Sequence, residues 1–438
     1  MTVLRLAAPP RLAIAEPVAL PASKSLSNRA LLLGGLCAEP CALTGLSDCD
    51  DTHAMRTALQ GPLRGTDAGP RTVDIGAAGT AMRFLTAYYA TTEGADVLLT
   101  GSERMRQRPI GILVEALRSL GADIRYTERE GCPPLRIRGR RLHGGELTMD
   151  GSVSSQYISA LLMTAPRLEG GLTLRLDGRL TSLPYLRMTL AMMRRFGVGA
   201  EADLSADHPS IAVAPQAYAA TPYAVEGDWS AASYWYQLLA LAPDAAPLRL
   251  VGLHADSLQG DSAVARYFEP LGVATEFGTD GGVTLRRTER TADAVAWDLT
   301  EQPDLAQTLV AACCGLGVRF DIAGLHTLRI KETDRIAALR TELRRLGYVV
   351  TDSETTDAAG TRRVAMHWHG ERCAPEAQPT VRTYDDHRMA MALAPLALVR
   401  PDRSLRIARP EVVSKSYPAY WAHLRAAGFT TTETEEAS

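Results

Sequence analysis

The stretch Ile112-Leu-Val-Glu-Ala-Leu-Arg-Ser-Leu-Gly121 reads as an amphipathic helix that stops on a glycine. Glycine there supplies the left-handed conformation in which helices commonly end. The same stop returns at Phe196-Gly197, Leu271-Gly272 and Leu346-Gly347, with the glycines 76, 75 and 75 residues apart. Such regular spacing is the signature of an internal repeat. A shortened copy ends near Gly61 and a last one at Ala427-Gly428, so six helices of this type are expected.

A second series interleaves with the first, opening at Ser27-Asn-Arg-Ala, Gly79-Thr-Ala-Met, Ser154-Ser-Gln-Tyr, Trp229-Ser-Ala-Ala, Pro303-Asp-Leu-Ala and Asp385-Asp-His-Arg-Met. These helices are apolar nearly all round and are expected to be buried. Short strands lie between the two series, at Asp96 to Thr100, Leu172 to Leu176, Leu248 to Val251 and Val318 to Ile322. The repeated unit is strand, buried helix, strand, amphipathic helix and further strands. Six copies exceed one ordinary core, so an α/β repeat protein of two domains, three copies each, is expected. The boundary falls near Val225-Glu226-Gly227. Residues 21–225 form the first domain and 226–429 the second, to which residues 1–20 return, with strand-like segments at Val3 to Leu6 and Leu12 to Ile14. The polar, acidic residues 430–438 read as a disordered tail.

The 438 residues carry a net charge of −3, with 47 basic residues balanced by 50 acidic ones. Without a long basic run, and with 6% aromatics, no nucleic-acid partner is expected. The apolar run Met389 to Val399 is too short to span a bilayer, and the N-terminus has no signal-peptide core, so a cytoplasmic protein off the membrane is expected. Seven cysteines without a C-x-x-C pair argue against disulfides and a zinc knuckle. His367-x-His369 offers two metal ligands only, and no metal is expected.

Of the 47 basic residues only Lys24, Lys331 and Lys415 are lysine. Codon bias accounts for the arginines; the surviving lysines mark positions where a compact, tunable ammonium is needed. All three lie near helix starts, which offer unpaired N–H groups and a positive dipole end to anions. Ser25, Arg29, Gly79, Arg108, Ser154, Ser155, Gln156, Ser182, Glu332 and Arg335 share such places, as do Asp304, His387 and Arg388. Taken singly these are ordinary caps; together they point to an anion-lined cleft for phosphate and carboxylate groups. No P-loop and no dinucleotide fingerprint is present.

Pro21-Ala-Ser-Lys-Ser-Leu-Ser-Asn-Arg29, Gly76-Ala-Ala-Gly-Thr-Ala-Met-Arg83, Arg104-Met-Arg-Gln-Arg-Pro-Ile-Gly111, Gly151-Ser-Val-Ser-Ser-Gln156, Arg329-Ile-Lys-Glu-Thr-Asp-Arg335 and Tyr384-Asp-Asp-His-Arg-Met-Ala390 occur in that order. Together they resemble the 3-phosphoshikimate 1-carboxyvinyltransferases, or EPSP synthases, over nearly the whole chain. The resemblance implies two domains of three β-α-β-α-β-β units each, an inside-out α/β barrel. It implies transfer of the enolpyruvyl group of phosphoenolpyruvate to the 5-hydroxyl of shikimate 3-phosphate, in aromatic amino-acid biosynthesis, by a monomer without metal or cofactor that glyphosate targets. By position, Lys24, Ser25, Arg29, Ser154, Ser155, Gln156, Ser182, Asp304 and Lys331 would contact shikimate 3-phosphate. Lys24, Gly79, Arg108, Gln156, Arg335, Arg388 and Lys415 would contact phosphoenolpyruvate. Asp304 would be the base, Glu332 or Lys24 the acid, and His387 a support for Glu332. The rivals are the sister enolpyruvyl transferase acting on UDP-N-acetylglucosamine and a non-catalytic anion-binding repeat protein. The sister enzyme typically carries a loop cysteine near the equivalent of Gly101 to Arg108, and none occurs here.

Overall fold

In the computed structural model, residues 1–14, 16–66, 69–152, 154–178, 180–204, 209–356 and 362–436 are described. The chain divides into two compact units, Ser23–Val225 and Met1–Ala22 with Glu226–Ser438. Each has its own apolar core. Among the described residues no helix is long and apolar enough to cross a membrane.

Five four-stranded sheets and one two-stranded sheet are present among the described residues. The five share one pattern, shown by Arg71–Asp74, Asp96–Thr100, Asp123–Tyr126 and Leu135–Arg138. The first two pair in parallel across a buried helix; the fourth joins the second antiparallel and takes the third on its outer edge. The first repeat is the shortened one, keeping only the parallel pair Leu43–Thr44 and Tyr223–Ala224.

The buried helices are hydrophobic all round because protein covers every face. Gly79–Ala90 leaves only Thr80 outside its buried set, and Trp229–Leu241 only Ser230. Their exceptions stand in the first turn. The amphipathic helices end as the glycine pattern requires: Gly121, Gly197, Gly272, Gly347 and Gly428 all have positive φ. Gly61 differs, with φ −84°. A Cβ there would strike the Arg71 guanidinium, which donates to the Ala58 and Pro62 carbonyls and so closes that helix end.

Two expectations are corrected. The tail is ordered over Thr430–Glu435, a strand that pairs antiparallel with Thr2–Ala7; residues 437–438 lie outside the described residues. Composition suggested disorder, but the N-terminal strand lies between this strand and Ser404–Ala408 and supplies the backbone partners that a polar edge strand needs. No strand forms over Leu12 to Ile14. Leu12 is buried in the core while Ala13 hydrogen-bonds the Ala427 carbonyl, and the strand lies instead at Val18–Ala19, parallel to Leu248–Val251.

Candidate active site

In the unit containing residues 226–438, Arg335 organises a dense set of charges. It is the first residue of helix Arg335–Arg345, whose cap Asp334 accepts the Ile336 and Ala337 N–H groups. Only 2% of its side chain is exposed. Its Nε donates to Asp386 Oδ2 at 2.7 Å, Nη1 to Asp304 Oδ1 at 2.9 Å and Nη2 to Glu332 Oε2 at 2.9 Å. Burial works against the guanidinium charge, but Asp386, Glu332 and Asp304 outweigh it and the net shift of its pKa is upward. A single planar fork thus fixes three carboxylates.

Asp304 sits where the buried helix of the fifth repeat begins, in the 3₁₀ turn Pro303–Leu305. Besides Arg335, Lys331 Nζ lies 3.5 Å from Oδ1 and Arg388 Nη2 3.2 Å from Oδ2. Arg388 also donates to the Asp304 carbonyl at 3.2 Å. Lys331 keeps 25% of its side chain accessible. Its pKa is lowered, first by burial of the ammonium and further by Arg335 and Arg388, against the pull of Asp304 and Glu332.

The turn leading to helix His387–Leu393 places Tyr384 and Asp385 at φ 53° and 57°. Two successive non-glycine residues in this region are strained, as at many functional sites. The Asp385 carbonyl accepts Lys415 Nζ at 2.5 Å, and its carboxylate pairs with Arg409. Asp386, fully buried, caps the helix through the Arg388 N–H, and His387 Nδ1 lies 3.8 Å from it. Behind Arg388, Ser230 accepts Nη2 at 3.5 Å and donates to the buried Asp261. Burial, and next the Asp304 charge, push the Asp261 carboxyl up to about 6.

In unit Ser23–Val225, Lys24 opens helix Lys24–Leu36, capped by Ser23, and its Nζ lies 3.4 Å from Asp51 Oδ2. Ser154 caps helix Ser155–Thr164, and Gln156 Nε2 donates to Thr80 Oγ1 at 3.1 Å, tying the starts of the second and third buried helices. Gly79 opens the second. A Cβ on it would lie 2.7 Å from Arg108 Nη1, so the glycine makes room for this guanidinium, whose Nε is buried without a partner among the described residues. Arg83 donates to the Gly79 and Pro109 carbonyls, setting the spacing of the two segments that carry Gly79 and Arg108. Ser182 stands at φ 53° immediately before helix Leu183–Arg195.

Arg29 is 2% exposed. Its Nε donates to Thr189 Oγ1, Nη1 to the Ser25 carbonyl and Nη2 to Ser159 Oγ and the Tyr185 carbonyl. Its guanidinium carbon lies 5.4 Å from the Phe84 ring centroid and 5.9 Å from that of Tyr185, and burial lowers its pKa to about 10. To meet a substrate carboxylate it would exchange some of these bonds.

The structure thus brings together Asp304, Lys331, Glu332, Arg335 and Arg388, with His387 one residue removed and Lys415 on the neighbouring turn. In the other unit it pairs Gly79 with Arg108. Residues the sequence reading did not single out are Asp386, Asp261, Ser230, Asp51 and Arg83. Asp386 adjoins His387 and Arg388, Ser230 stands in the opening turn of a buried helix and Arg83 closes the Gly76–Arg83 motif; these were their sequence signals. Partners such as Asp51 and Asp261 come from other segments. Chemically, both units offer cations and hydroxyls at helix starts, and one adds paired carboxylates for proton transfer.

A family model described as EPSP synthase (3-phosphoshikimate 1-carboxyvinyltransferase) matches residues 10–64 and 61–424. The chain is 51% identical over 416 residues to the 3-phosphoshikimate 1-carboxyvinyltransferase of Bacteroides fragilis (strain YCH46), covering 95% of this chain and 96% of that protein. It is 38% identical over 429 residues to that of Vibrio cholerae serotype O1 (strain M66-2), covering 93% and 96%. Among solved structures, an EPSP synthase from Acinetobacter baumannii matches with TM-score 0.72 at 20% identity, covering 99% of this chain and 100% of that one, which bears on the fold alone.

Proposed function

The chain belongs to the EPSP synthase family, the 3-phosphoshikimate 1-carboxyvinyltransferases, and on that premise we propose how its residues divide the work. The reaction transfers the enolpyruvyl group of phosphoenolpyruvate to the 5-hydroxyl of shikimate 3-phosphate and releases phosphate, a step of the shikimate pathway. The observation that carries the assignment is Asp304, one carboxylate shared by Lys331, Arg335 and Arg388 at a helix start.

By position in the matched motifs, shikimate 3-phosphate is assigned Lys24, Ser25, Arg29, Ser154, Ser155, Gln156, Ser182, Asp304 and Lys331. Phosphoenolpyruvate is assigned Lys24, Gly79, Arg108 and Gln156, with Arg335, Arg388 and Lys415. Two anions at 4 Å repel by roughly 4 kcal/mol per charge pair at an effective dielectric near 20, so a high density of cations is required.

The chemistry is addition followed by elimination. The 5-hydroxyl oxygen attacks the substituted vinyl carbon of phosphoenolpyruvate while Asp304 takes its proton, and an acid delivers a proton to the methylene carbon. The acid is Glu332, held by Arg335, or Lys24, held by Asp51. The tetrahedral intermediate then loses a methyl proton and phosphate, restoring the double bond. Asp386 holds Arg335 in place, and His387 bears on Glu332 through that pair.

We read the protein as a monomer in the cytoplasm and as a target of glyphosate, which competes with phosphoenolpyruvate. Seven unpaired thiols support a reducing compartment. The test of the whole reading is phosphate release from phosphoenolpyruvate with either shikimate 3-phosphate or UDP-N-acetylglucosamine. Turnover is expected with the first acceptor only. Turnover with the second would assign the sister activity, and anion binding without any turnover would leave a non-catalytic protein.

A further inference from the structure

We propose that Asp321, His367 and His369 form a zinc-binding site on the solvent face of the fifth repeat's sheet. The two histidines stand two residues apart, on the same face of strand Arg362–Trp368 and its continuation. Alone they make a two-ligand chelate. The register supplies the third ligand: Asp321, on strand Arg319–Ala323, lies directly across from His367 in the antiparallel ladder.

The three donor atoms lie within 4.8 Å of one another. Asp321 Oδ1 is 2.6 Å from His367 Nδ1 and 3.6 Å from His369 Nε2, and the imidazole planes are inclined by only 23°. Zinc bonds of about 2.1 Å in a tetrahedron place ligands roughly 3.4 Å apart. The Asp321–His367 pair must therefore open by under an ångström, a small rotation for the half-exposed Asp321 side chain. Water would complete the coordination.

The outer partners have the arrangement that orients a metal-bound histidine. His367 Nε2 lies 2.7 Å from Ser353 Oγ, on the third strand of the same sheet, so this nitrogen can carry the proton and leave Nδ1 to coordinate. The His369 N–H donates to Glu371 Oε2 at 2.9 Å, which fixes the chain where it leaves the strand. A bound zinc would join two neighbouring strands across their ladder and stabilise this unit by binding the folded state alone. None of these residues belongs to the assigned catalytic machinery, so the inference stands independently of it.

The test is calorimetric titration of zinc into the full-length protein, with thermal denaturation in zinc and in chelator. One zinc per chain and a higher midpoint in zinc are expected. His367→Ala and His369→Gln should each weaken binding at least about tenfold, no less than the loss of an outer partner does, and shrink the midpoint rise accordingly. Both variants should keep the wild-type midpoint in chelator and the wild-type rate of phosphate release, which excludes misfolding as the cause. No zinc uptake, uptake only at millimolar zinc, or undiminished uptake by both variants would overturn the site.

Discussion

Lys331 Nζ lies 3.5 Å from Asp304 Oδ1, on the same carboxylate oxygen that Arg335 Nη1 grips at 2.9 Å. The two cations share one acceptor atom but do different work. Arg335 is buried and committed through all three nitrogens to carboxylates, whereas the flexible Lys331 keeps part of its surface open. A lysine can turn from Asp304 to an incoming anion; a second guanidinium would compete with Arg335 for its planar pairing. Lys331→Arg should therefore lower kcat/KM at least about tenfold, or 1.4 kcal/mol, in a phosphate-release assay. Lys24→Arg and Lys415→Arg are expected to behave alike, and silence of all three would make the survival of these lysines accidental.

Asp304→Ala should leave shikimate 3-phosphate binding largely intact while lowering kcat by about 10²–10⁴, the range typical of a lost general base. Equilibrium binding and steady-state turnover on the same preparation separate the two effects. Near-normal turnover would remove Asp304 from its role.

Gly79→Ala places a methyl 2.7 Å from Arg108 Nη1. The first turn of a helix accepts alanine readily, so stability should hold while Arg108 is pushed aside. The KM for phosphoenolpyruvate should rise about tenfold, roughly the 1.4 kcal/mol of one weakened charged hydrogen bond, with a smaller change for shikimate 3-phosphate. An equal rise for both substrates would count against a specific Gly79–Arg108 site.

Asp261 gives a pH-dependent prediction. Its carboxyl is raised from 3.8 to about 6, chiefly by burial and then by Asp304. Between those values the folded state binds more protons than the unfolded one, so this group's contribution to stability falls as pH rises through the window. Asparagine has no such term. The melting midpoint of Asp261→Asn relative to wild type should therefore climb between about pH 4 and pH 7. A constant difference across that range would show that Asp261 does not titrate there.

Truncation after Phe429 removes the strand Thr430–Glu435 and exposes the edge of Thr2–Ala7. The midpoint should fall by about 2–4 °C for each kcal/mol lost, as for a unit of this size. A disordered tail would leave it unchanged.

The repeat was legible in the sequence because its signals are local. A glycine that must take positive φ at Gly121 or Gly347, and a helix with no polar face, declare themselves within one turn of chain. The helix-start residues Lys24, Gly79, Ser154, Asp304 and Arg335 were legible for the same reason. The partners that set their chemistry were not. Asp386 reaches Arg335 from 51 residues away, Thr189 reaches Arg29 from 160, and the N-terminal strand pairs with residues more than 420 positions later. No periodicity encodes such distances. Sequence determined which residue types stand at the helix starts. The tertiary structure decided which carboxylate neutralises which cation, that Arg29 is spent largely on its own unit, and that an acidic tail becomes a strand, because electrostatics and backbone pairing depend on proximity in space rather than along the chain.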